Sequence, residues 1–289
     1  MNKLNDKYKL HIIIPTKDCV DLLFQTIDSI VDKKLYIENA FTNYIFYIVD
    51  TGSTPDNKEQ ILGFEKAMPG VTFKNIHING YHYAKVNNHV AKNMLVTDDE
   101  HEDLILFCNN DLKLLTDCIT EFVEYYDKTE DVGTIGCKLL FGDKVIQHAG
   151  QWIVRRGDDF FPTHRGLRAD PKLFTKVEEV IGNTAALLLI QSELFQSIGG
   201  FNEDYDFCFE DLQMNMDCIL QGKANYYLGS SISYHFESMN KEQEGYDLQK
   251  RGSLSATDYQ KVFKPYAHEN TDMWVTKLEQ LESNEVVFG

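Results

Sequence analysis

An apolar run that stops at three polar residues constrains this chain more than any other feature. Leu104 to Cys108 are apolar without interruption, and Asn109, Asn110 and Asp111 follow at once. A short unbroken apolar run predicts a strand buried on both faces of a sheet. Asp111 would then lie at the carboxyl end of that strand, where ligands bind in open α/β sheets. A carboxylate there suits a hard divalent cation that also contacts a substrate phosphate. A turn that caps the following helix is the alternative.

Two earlier segments show the same pattern of an apolar strand that ends in polar residues. Residues 10–15 precede Thr16 and Asp18, and residues 44–49 precede Asp50. A helical pattern follows each of them, and a third apolar run comes next in the chain. This alternation predicts an α/β fold built on a doubly wound, mostly parallel sheet. Since the carboxyl ends of parallel strands lie at one edge, we expect the polar tips to converge there.

The second half of the chain has a different pattern. Three apolar runs within residues 132–190 follow one another without long helices between them, which predicts a mixed, partly antiparallel region. Residues 155–176 are rich in charge, Gly and Pro and are expected to form a long loop. Residues 241–289 show helical patterns and predict a C-terminal helical tail. The chain has no GxGxxG loop after a strand, which argues against dinucleotide binding.

The charge balance limits the partners of the chain. Its 289 residues contain 28 Lys plus Arg and 45 Asp plus Glu, a net charge of −17. Nucleic-acid binding depends on clustered basic side chains, so we expect no nucleic-acid partner. A substrate that carries phosphate would need a bridging metal ion or a local group of cations. The sequence does not indicate an oligomeric state.

Cysteine spacing and hydropathy indicate the compartment. The six cysteines form no CxxC pair and no zinc spacing, which predicts buried free thiols in a reducing cytoplasm. The first ten residues contain no apolar signal core, and the longest apolar run is too short to span a bilayer. We expect a cytoplasmic protein, with peripheral association at the inner face of the cell membrane left open.

Two further segments contain residues suited to chemistry. Glu210 and Asp211 begin a helical pattern that ends at Gly222, and the helix macrodipole favours ionised carboxylates in a first turn. An ionised carboxylate beside a cleft can accept a proton, whereas ordinary helix capping is the alternative. His235 follows an aromatic strand pattern. Such a histidine is usually structural, but imidazole together with carboxylate and phosphate oxygens also suits Mn²⁺.

Eight segments resemble one known family in order and in spacing. The chain resembles the inverting GT-A glycosyltransferases of family 2, above all the bacterial rhamnosyltransferase-like enzymes that build surface polysaccharide. The segments are HIIIPTKD, YIVDTGS, HYAKVNNHVAKN, LFCNND, VIQHAG, IGNTAALLLI, GGFNEDYDFCFED and YHFES, within about residues 9–240. The resemblance implies a Rossmann-like GT-A domain at residues 1–240, with a nucleotide-binding half at about 9–111 and an acceptor half at about 112–240. A helical extension at 241–289 follows it.

The resemblance also assigns roles to individual residues. Asp211 matches the catalytic base, with Glu210 beside it. Asp111 and His235 match the ligands of an Mn²⁺ or Mg²⁺ ion. Nucleotide or donor-sugar contacts are implied for Pro15, Thr16, Asp18, Asp50, Lys85, Asn88, Asn109, Asn110, Asn183 and Thr184. Acceptor contacts are implied more weakly for His148, Trp152 and His164, and a place in the core is the alternative for the tryptophan.

Four positions depart from the family pattern. Asn109 replaces the first acid of the DxD motif and removes one negative ligand from the metal site. Gln213 replaces an acid that follows the ED pair, Asp217 replaces an arginine nearby, and Gln191 replaces an arginine after the apolar strand. These changes affect the surroundings of the pocket and leave its two principal acidic side chains in place.

The resemblance implies transfer of a sugar from a nucleoside-diphosphate sugar to a hydroxyl of a glycan or lipid-linked acceptor, in bacterial surface polysaccharide biosynthesis. An inverting transfer needs a general base for the acceptor hydroxyl, and in a protein this acidic a cation would stabilise the charge of the leaving diphosphate. Two alternatives remain. One is a catalytically weak nucleotide-sugar or carbohydrate-binding protein of the same fold. The other is a sugar nucleotidylyltransferase, although PTKDC stands where its glycine-rich loop would be expected.

Overall fold

The fold is built on one ten-stranded sheet flanked by helices. The computed structural model describes residues 3–36, 40–68, 71–236 and 248–287. After a 3-10 turn at Lys3–Asp6, the strands are β1 (Tyr8–Thr16), β2 (Tyr44–Asp50), β3 (Thr72–His77), β4 (Glu102–Cys108), β5 (Leu112–Leu114), β6 (Val132–Leu140), β7 (Ile146–His148), β8 (Gln151–Arg156), β9 (Asp159–His164), β10 (Val177–Val180), β11 (Leu187–Gln191) and β12 (Ala224–His235). The helices are α1 (Val20–Tyr36), α2 (Pro55–Lys66), α3 (Tyr83–Asn93), α4 (Cys118–Lys128), α5 (Ser192–Ser197), α6 (Glu210–Leu220), α7 (Leu248–Asp258), α8 (Lys264–Glu269) and α9 (Thr271–Val287), and a π-helical turn (Tyr259–Phe263) joins α7 to α8.

The strand order places several carboxyl ends at one edge. The order is β10-β12-β6-β11-β4-β1-β2-β3, and the last four of these strands are parallel. β11 is antiparallel to both of its neighbours, β4 and β6, and β12 is parallel to β6. β1, β2, β4, β6 and β12 therefore all end at the same edge of the sheet. This confirms the predicted mostly parallel sheet with a mixed second half.

The central strands are buried on both faces because their side chains alternate between two apolar layers. Leu10, Ile12 and Ile14 of β1 pack in the layer that contains α1 and α4. Ile13 packs in the opposite layer with residues of α3, α5 and α6. β4 alternates in the same way. Shifting either strand by one residue would exchange the two faces, so the positions of the polar strand tips are fixed.

A hairpin occupies part of the segment predicted to be a long loop. β8 and β9 pair in register from Gln151 opposite His164 to Arg156 opposite Asp159. Gly157 begins the two-residue turn with a φ of +64°, which glycine adopts without strain. The loop prediction for residues 155–176 is therefore wrong in its first half. Charged residues on both sides of the turn conceal the strand pattern there.

The described C-terminal residues are helical, which confirms the predicted helical tail. The predicted boundary between residues 240 and 241 lies outside the described residues. α9 contributes Trp274, Leu278 and Leu281 to a third apolar cluster, which also contains residues of α6 and of the β8–β9 hairpin. Within the described ranges, no helix combines the length and apolar character that crossing a bilayer requires. All six cysteines are free, and four of them are buried.

Candidate active site

Strand pairing brings Asp111 and His235 together. The short strand β5 follows Asp111 and pairs antiparallel with the end of β12, where His235 lies opposite Leu112. The Phe236 N–H donates to the Asp111 carbonyl at 2.9 Å. His235 Nε2 lies 3.2 Å from Asp111 Oδ1 and 3.2 Å from Asn109 Nδ2. Three of the predicted site residues, from two distant segments, therefore meet at one point.

Gln147 fixes the tautomer of His235. Its Oε1 lies 2.8 Å from His235 Nδ1 and can only accept, so Nδ1 carries the proton. The lone pair of Nε2 then points towards Asp111 and Asn109, as in histidines that bind metals. Asp111 and His235 are 3% and 8% exposed. Gln147 is not predicted from the sequence, because nothing near it in the chain indicates its partner in β12.

Asp111 and His235 offer two ligands of the type that Mn²⁺ and Mg²⁺ accept. No cluster of three or more His, Cys, Asp or Glu side chains with the arrangement of a metal site occurs among the described residues. A two-ligand pair nevertheless fits ions that retain several waters or take phosphate oxygens from a substrate. The donor chemistry and the fixed tautomer are therefore compatible with such an ion.

Asp211 is held in the first turn of α6 by three hydrogen bonds. Its Oδ1 accepts from the Leu212 N–H at 2.7 Å and from Gln151 Nε2 at 3.0 Å. Its Oδ2 accepts from the Ala185 N–H at 3.2 Å. A carboxylate oxygen has two acceptor sites, so Oδ2 retains capacity for a further hydrogen bond. Asp211 is thus a positioned carboxylate that can receive a proton.

Glu210 has different surroundings from its neighbour. Burial, followed by the charge of Asp211, raises the pKa of Glu210 to about 8. Its Oε2 is buried and has no hydrogen-bond partner within the described part of the chain. The expectation that the helix macrodipole would keep Glu210 ionised therefore fails, because the cost of burying the charge is larger. Glu210 is protonated at neutral pH.

A buried amide network sets the position of α6. Asn215 Nδ2 donates to the Asp211 carbonyl at 2.7 Å and to the Asn183 carbonyl at 2.9 Å. Asn215 Oδ1 accepts from Thr134 Oγ1 at 2.6 Å, and Asn183 Nδ2 donates to the same hydroxyl at 3.1 Å. The network joins α6 to β6 and to the segment before β11. Asn183, predicted to border the donor sugar, is fully buried within it.

A cleft of about 620 Å³ lies at this edge of the sheet. Its volume is within the usual range for small-molecule sites, about 300–1,000 Å³. The predicted residues that line it are Asn109, His148, His164, Thr184, Glu210, Asp211 and His235. Other lining residues are Tyr81, His82, Tyr83, Ala84, Phe141, Gln147, Gln151, Leu167, Ala185, Ala186, Tyr205, Asp206, Phe207, Cys208, Phe209 and Ser255. The proposed base and one proposed metal ligand therefore face the same cleft.

Two histidines form a pair in the cleft wall. His148 Nε2 accepts from the Thr184 N–H at 3.4 Å, and His148 Nδ1 lies 3.3 Å from His164 Nδ1. Burial keeps the pKa of His148 well below its usual value. His148 is thus neutral and donates from Nδ1 to His164.

The tips of β1 and β4 are joined by a hydrogen bond. Asn110 Nδ2 donates to Thr16 Oγ1 at 2.9 Å, and Thr16 is buried. Pro15 is also buried and lies opposite Val49 of β2. The strand tips predicted to converge therefore do so.

Asp50 is a well-supported anion at the end of β2. Its Oδ1 accepts from the Ser53 N–H at 2.8 Å, and its Oδ2 lies 2.8 Å from His77 Nδ1 and 3.2 Å from Lys58 Nζ. Burial raises the pKa of Asp50, but the hydrogen bonds from Ser53, Lys58 and His77 outweigh it and hold the pKa well below its usual value.

Asp18 and Lys85 lie outside the cleft wall. Asp18 Oδ1 accepts from the Thr54 N–H at 2.9 Å and from Asn57 Nδ2 at 2.7 Å, which lowers the pKa of Asp18. The carboxylate therefore stabilises the start of α2. Lys85 is exposed in the first turn of α3.

Asn88 and Trp152 also have contacts away from the cleft. Asn88 Nδ2 donates to the Phe201 carbonyl at 2.8 Å, and Asn88 Oδ1 accepts from the Phe201 N–H at 2.9 Å. Asn88 thus fixes the segment that follows α5. Trp152 is partly buried against the third apolar cluster.

Solved structures show which class of protein has this fold. GalNAc-T7 with UDP, GalNAc and Mn²⁺ matches with a TM-score of 0.61 and 12% identity, over 79% of this chain and 43% of that chain. The mannosyltransferase PcManGT from Pyrobaculum calidifontis, in complex with GDP-Man and Mn²⁺, matches with a TM-score of 0.57 and 12% identity, over 95% and 76%. S. aureus TarS 1–349 matches with a TM-score of 0.52 and 15% identity, over 79% and 60%. The fold is the GT-A glycosyltransferase fold, as predicted.

Sequence comparison then gives the family. The profile of Glycosyl transferase family 2 matches residues 11–187, more than half of the chain, so the chain belongs to that family. The O-antigen biosynthesis protein RfbC of Myxococcus xanthus is 26% identical over 240 residues, 82% of this chain and 18% of the relative. The uncharacterized protein y4gI of Sinorhizobium fredii (strain NBRC 101917 / NGR234) is 26% identical over 258 residues, 86% of this chain and 27% of the relative. The chain thus spans less than a third of each of these relatives.

Proposed function

We propose that this chain is an inverting glycosyltransferase. It would move a sugar from a nucleoside-diphosphate sugar to a hydroxyl of a glycan or lipid-linked acceptor, in bacterial surface polysaccharide biosynthesis. The observation that carries the proposal is that Asp211, Asn109 and His235 line one cleft at the carboxyl edge of the sheet. Membership of family 2 and the likeness to an O-antigen biosynthesis protein support it.

Asp211 acts as the general base in this proposal. Its Oδ2 takes the proton from the acceptor hydroxyl while the acceptor oxygen attacks the anomeric carbon. The new bond joins that oxygen to the anomeric carbon, and the bond from the anomeric carbon to the phosphate oxygen breaks on the opposite face. Gln151, Ala185 and Leu212 keep the carboxylate in place through its three hydrogen bonds. The nucleoside diphosphate leaves as the anion.

Asp111 and His235 would hold an Mn²⁺ or Mg²⁺ ion. When bound, such an ion stabilises the negative charge of a leaving diphosphate. A bound cation would also offset repulsion, because a protein with a net charge of −17 repels a negatively charged donor. Two structural relatives were solved with Mn²⁺ together with UDP or GDP-Man.

The strand tips provide a place for the rest of the donor. Pro15, Thr16, Asp50 and Asn110 lie beside one another and would contact the nucleotide. The donor contacts expected of Asp18, Lys85, Asn88 and Asn183 stay predictions, as do acceptor contacts of His148, Trp152 and His164. Peripheral attachment to the cytoplasmic face of a membrane, which a lipid-linked acceptor would require, also stays a prediction.

Replacing the proposed base tests the mechanism. A panel of sugar nucleotides with Mn²⁺ would first be screened for thermal stabilisation, since a ligand that binds the folded form raises its Tm. With a donor found in this way, Asp211→Asn should keep the Tm shift and lose transfer or donor hydrolysis by about 10²–10⁴-fold. Asp204→Asn, an exposed aspartate of the preceding loop, is the matched control and should stay near the wild-type rate.

Three outcomes would contradict the proposal. Full activity of Asp211→Asn would remove the base assignment. Donor binding without turnover, with either metal and with suitable acceptors, would favour a binding protein of the same fold. Release of pyrophosphate from a nucleoside triphosphate would favour a nucleotidylyltransferase.

The metal assignment has a separate test. Asp111→Asn keeps the size of the side chain and removes its charge, so the Tm shift produced by UDP or GDP should lose its dependence on Mn²⁺. The Asp204→Asn control should retain that dependence. The assignment would be wrong if Asp111→Asn responded to Mn²⁺ and nucleotide as the unsubstituted protein does.

A further inference from the structure

The C-terminal extension, residues 248–287, reaches the cleft. Ser255 of α7 lies in the cleft wall, and Cys208 Sγ lies 3.3 Å from Ser255 Oγ. Cys208 belongs to the segment 206–209, which also lines the cleft and leads directly into Glu210 and Asp211. The extension therefore contacts the segment on which the proposed base depends.

A buried carboxylate of the extension holds this segment. Asp258, the last residue of α7, is 2% exposed. Its Oδ2 accepts from the N–H groups of Phe207 at 2.8 Å and Cys208 at 3.0 Å, and its Oδ1 accepts from the N–H of Asp206 at 3.1 Å. A buried charge is tolerated only when hydrogen bonds compensate it, and bonds to an ionised acceptor are the strong ones. Asp258 thus gives three successive amides of an otherwise irregular segment their partners.

The backbone conformation next to α6 needs such support. Phe209, immediately before Glu210, has a φ of +79°. A bulky residue rarely adopts this left-handed conformation, and it persists only where the surroundings fix it. The three bonds to Asp258 end one residue before Phe209. Loss of these bonds would allow the segment to relax and move the first turn of α6.

Asp258 is not what attaches the extension to the rest of the protein. Tyr266 donates to Asp217 Oδ1 of α6 at 2.7 Å, and Lys264 forms an ion pair with Asp159 of β9 at 2.8 Å. Trp274 is fully buried in the third apolar cluster. Since these contacts anchor the extension elsewhere, the effect of Asp258 is local to the segment 206–209.

We propose that Asp258 is a positioning residue, through which the C-terminal extension fixes the segment 206–209 and with it the orientation of Asp211 in the cleft. The catalytic consequence rests on the proposed function. The contact between the extension and the cleft segment does not.

Amide hydrogen exchange and kinetics together test this inference. In Asp258→Ala, peptides that contain residues 206–208 should exchange about tenfold faster or more, because charge-assisted hydrogen bonds are lost. The turnover number should fall about tenfold or more, while the KM for the donor stays within about threefold. Asp258→Asn keeps one acceptor oxygen, so its exchange rate and its turnover number should lie between those of wild type and Asp258→Ala. Tyr266→Phe, which removes a buried hydrogen bond of the same extension, should leave both the exchange of 206–208 and the turnover number near wild type.

Each result has a distinct meaning. Unchanged exchange of residues 206–208 in Asp258→Ala would overturn the inference. Faster exchange with an unchanged turnover number would also overturn it, because the residue would then be structural only. If Asp258→Ala does not fold, the same two comparisons are made on Asp258→Asn. If the unsubstituted protein turned over no sugar nucleotide, the proposed function would fail, and the exchange experiment alone would decide whether Asp258 holds the segment.

Discussion

Glu210 and Asp211 are neighbours in the first turn of α6, yet their side chains have different surroundings. Asp211 has three hydrogen-bond donors around it, whereas Glu210 Oε2 has none within the described structure. Burial, followed by the charge of Asp211, raises the pKa of Glu210 to about 8. Glu210 therefore keeps its proton at neutral pH and is unsuited to act as a base, which supports the proposed assignment of Asp211.

The raised pKa of Glu210 predicts how stability depends on pH. In the unfolded chain this carboxyl ionises near pH 4.5, but in the folded chain it keeps its proton to about pH 8. Between these values the folded state binds more protons, so the free energy of unfolding falls as pH rises. Glu210→Gln resembles the protonated form and removes this loss. The free energy of unfolding of the variant, relative to that of wild type, should therefore increase by at least about 1 kcal/mol from pH 5 to pH 8.

Thermal unfolding from pH 5 to pH 8 at constant ionic strength measures this difference. The Tm of Glu210→Gln relative to wild type should rise with pH by about 2 °C or more. The exposed residue Glu59 provides the control, and Glu59→Gln should follow the wild-type curve at a constant offset. Parallel curves for Glu210→Gln and wild type would show that Glu210 is already ionised in the folded protein.

Whether a residue of the site could be predicted from the sequence depended on how far along the chain its partners lie. Asp111 was predicted because its strand and the polar tip are adjacent in the chain. Gln147 and Asp258 were not predicted, because their partners lie 88 and about 50 positions away. Their own neighbours in sequence give no indication of these contacts.

At the scale of elements, the parallel half of the sheet and the mixed character of the second half were predictable, whereas the pairing partners of the antiparallel strands were not. Apolar runs that end in polar residues gave β1, β2 and β4 together with the edge at which they meet. The insertion of β11 between β4 and β6 depends on long-range pairing, and no local pattern encodes it. The pairing of β5 with β12 is of the same kind, yet it brings Asp111 to His235. The full set of neighbouring residues in the candidate site could therefore be identified only from the structure.

The buried amide network shows a similar limit. Asn183 lies beside an apolar run and was predicted from the sequence to contact the donor sugar, whereas Asn215 was not predicted to have a role. In the structure they satisfy backbone groups between α6 and the sheet. These hydrogen bonds give both side chains a structural role, because buried polar groups need hydrogen-bond partners.

At the scale of the whole molecule, the C-terminal extension and helix α6 share one apolar cluster. Trp274 of α9 packs there with Leu212 and Ile219 of α6 and with Phe160 of β9. Because no separate core encloses the described part of the extension, we expect residues 248–287 to unfold together with the sheet. The extension is then part of the same cooperative unit as the cleft.

Substitution of Trp274 tests this expectation. Trp274→Ala should lower the free energy of unfolding by about 3–5 kcal/mol, the usual cost of removing a large buried aromatic side chain. Trp274 Nε1 is buried without a partner among the described residues, so Trp274→Phe keeps most of the packing and should cost less. Met273→Ala, at the exposed neighbouring position, should change the free energy by no more than about 0.5 kcal/mol.

Trp152, the other tryptophan of the chain, provides a fluorescence probe for the unfolding of these variants. Trp152 lies against the same cluster, so in Trp274→Phe its fluorescence alone follows the unfolding of that region. Circular dichroism follows the whole sheet, and a cooperative unit requires both signals to change at the same temperature. If the extension were an independent appendage, Trp274→Ala would produce an early transition in which the sheet persists. Since the same cluster supports α6, a single transition would mean that the extension and the helix that carries Asp211 unfold as one cooperative unit.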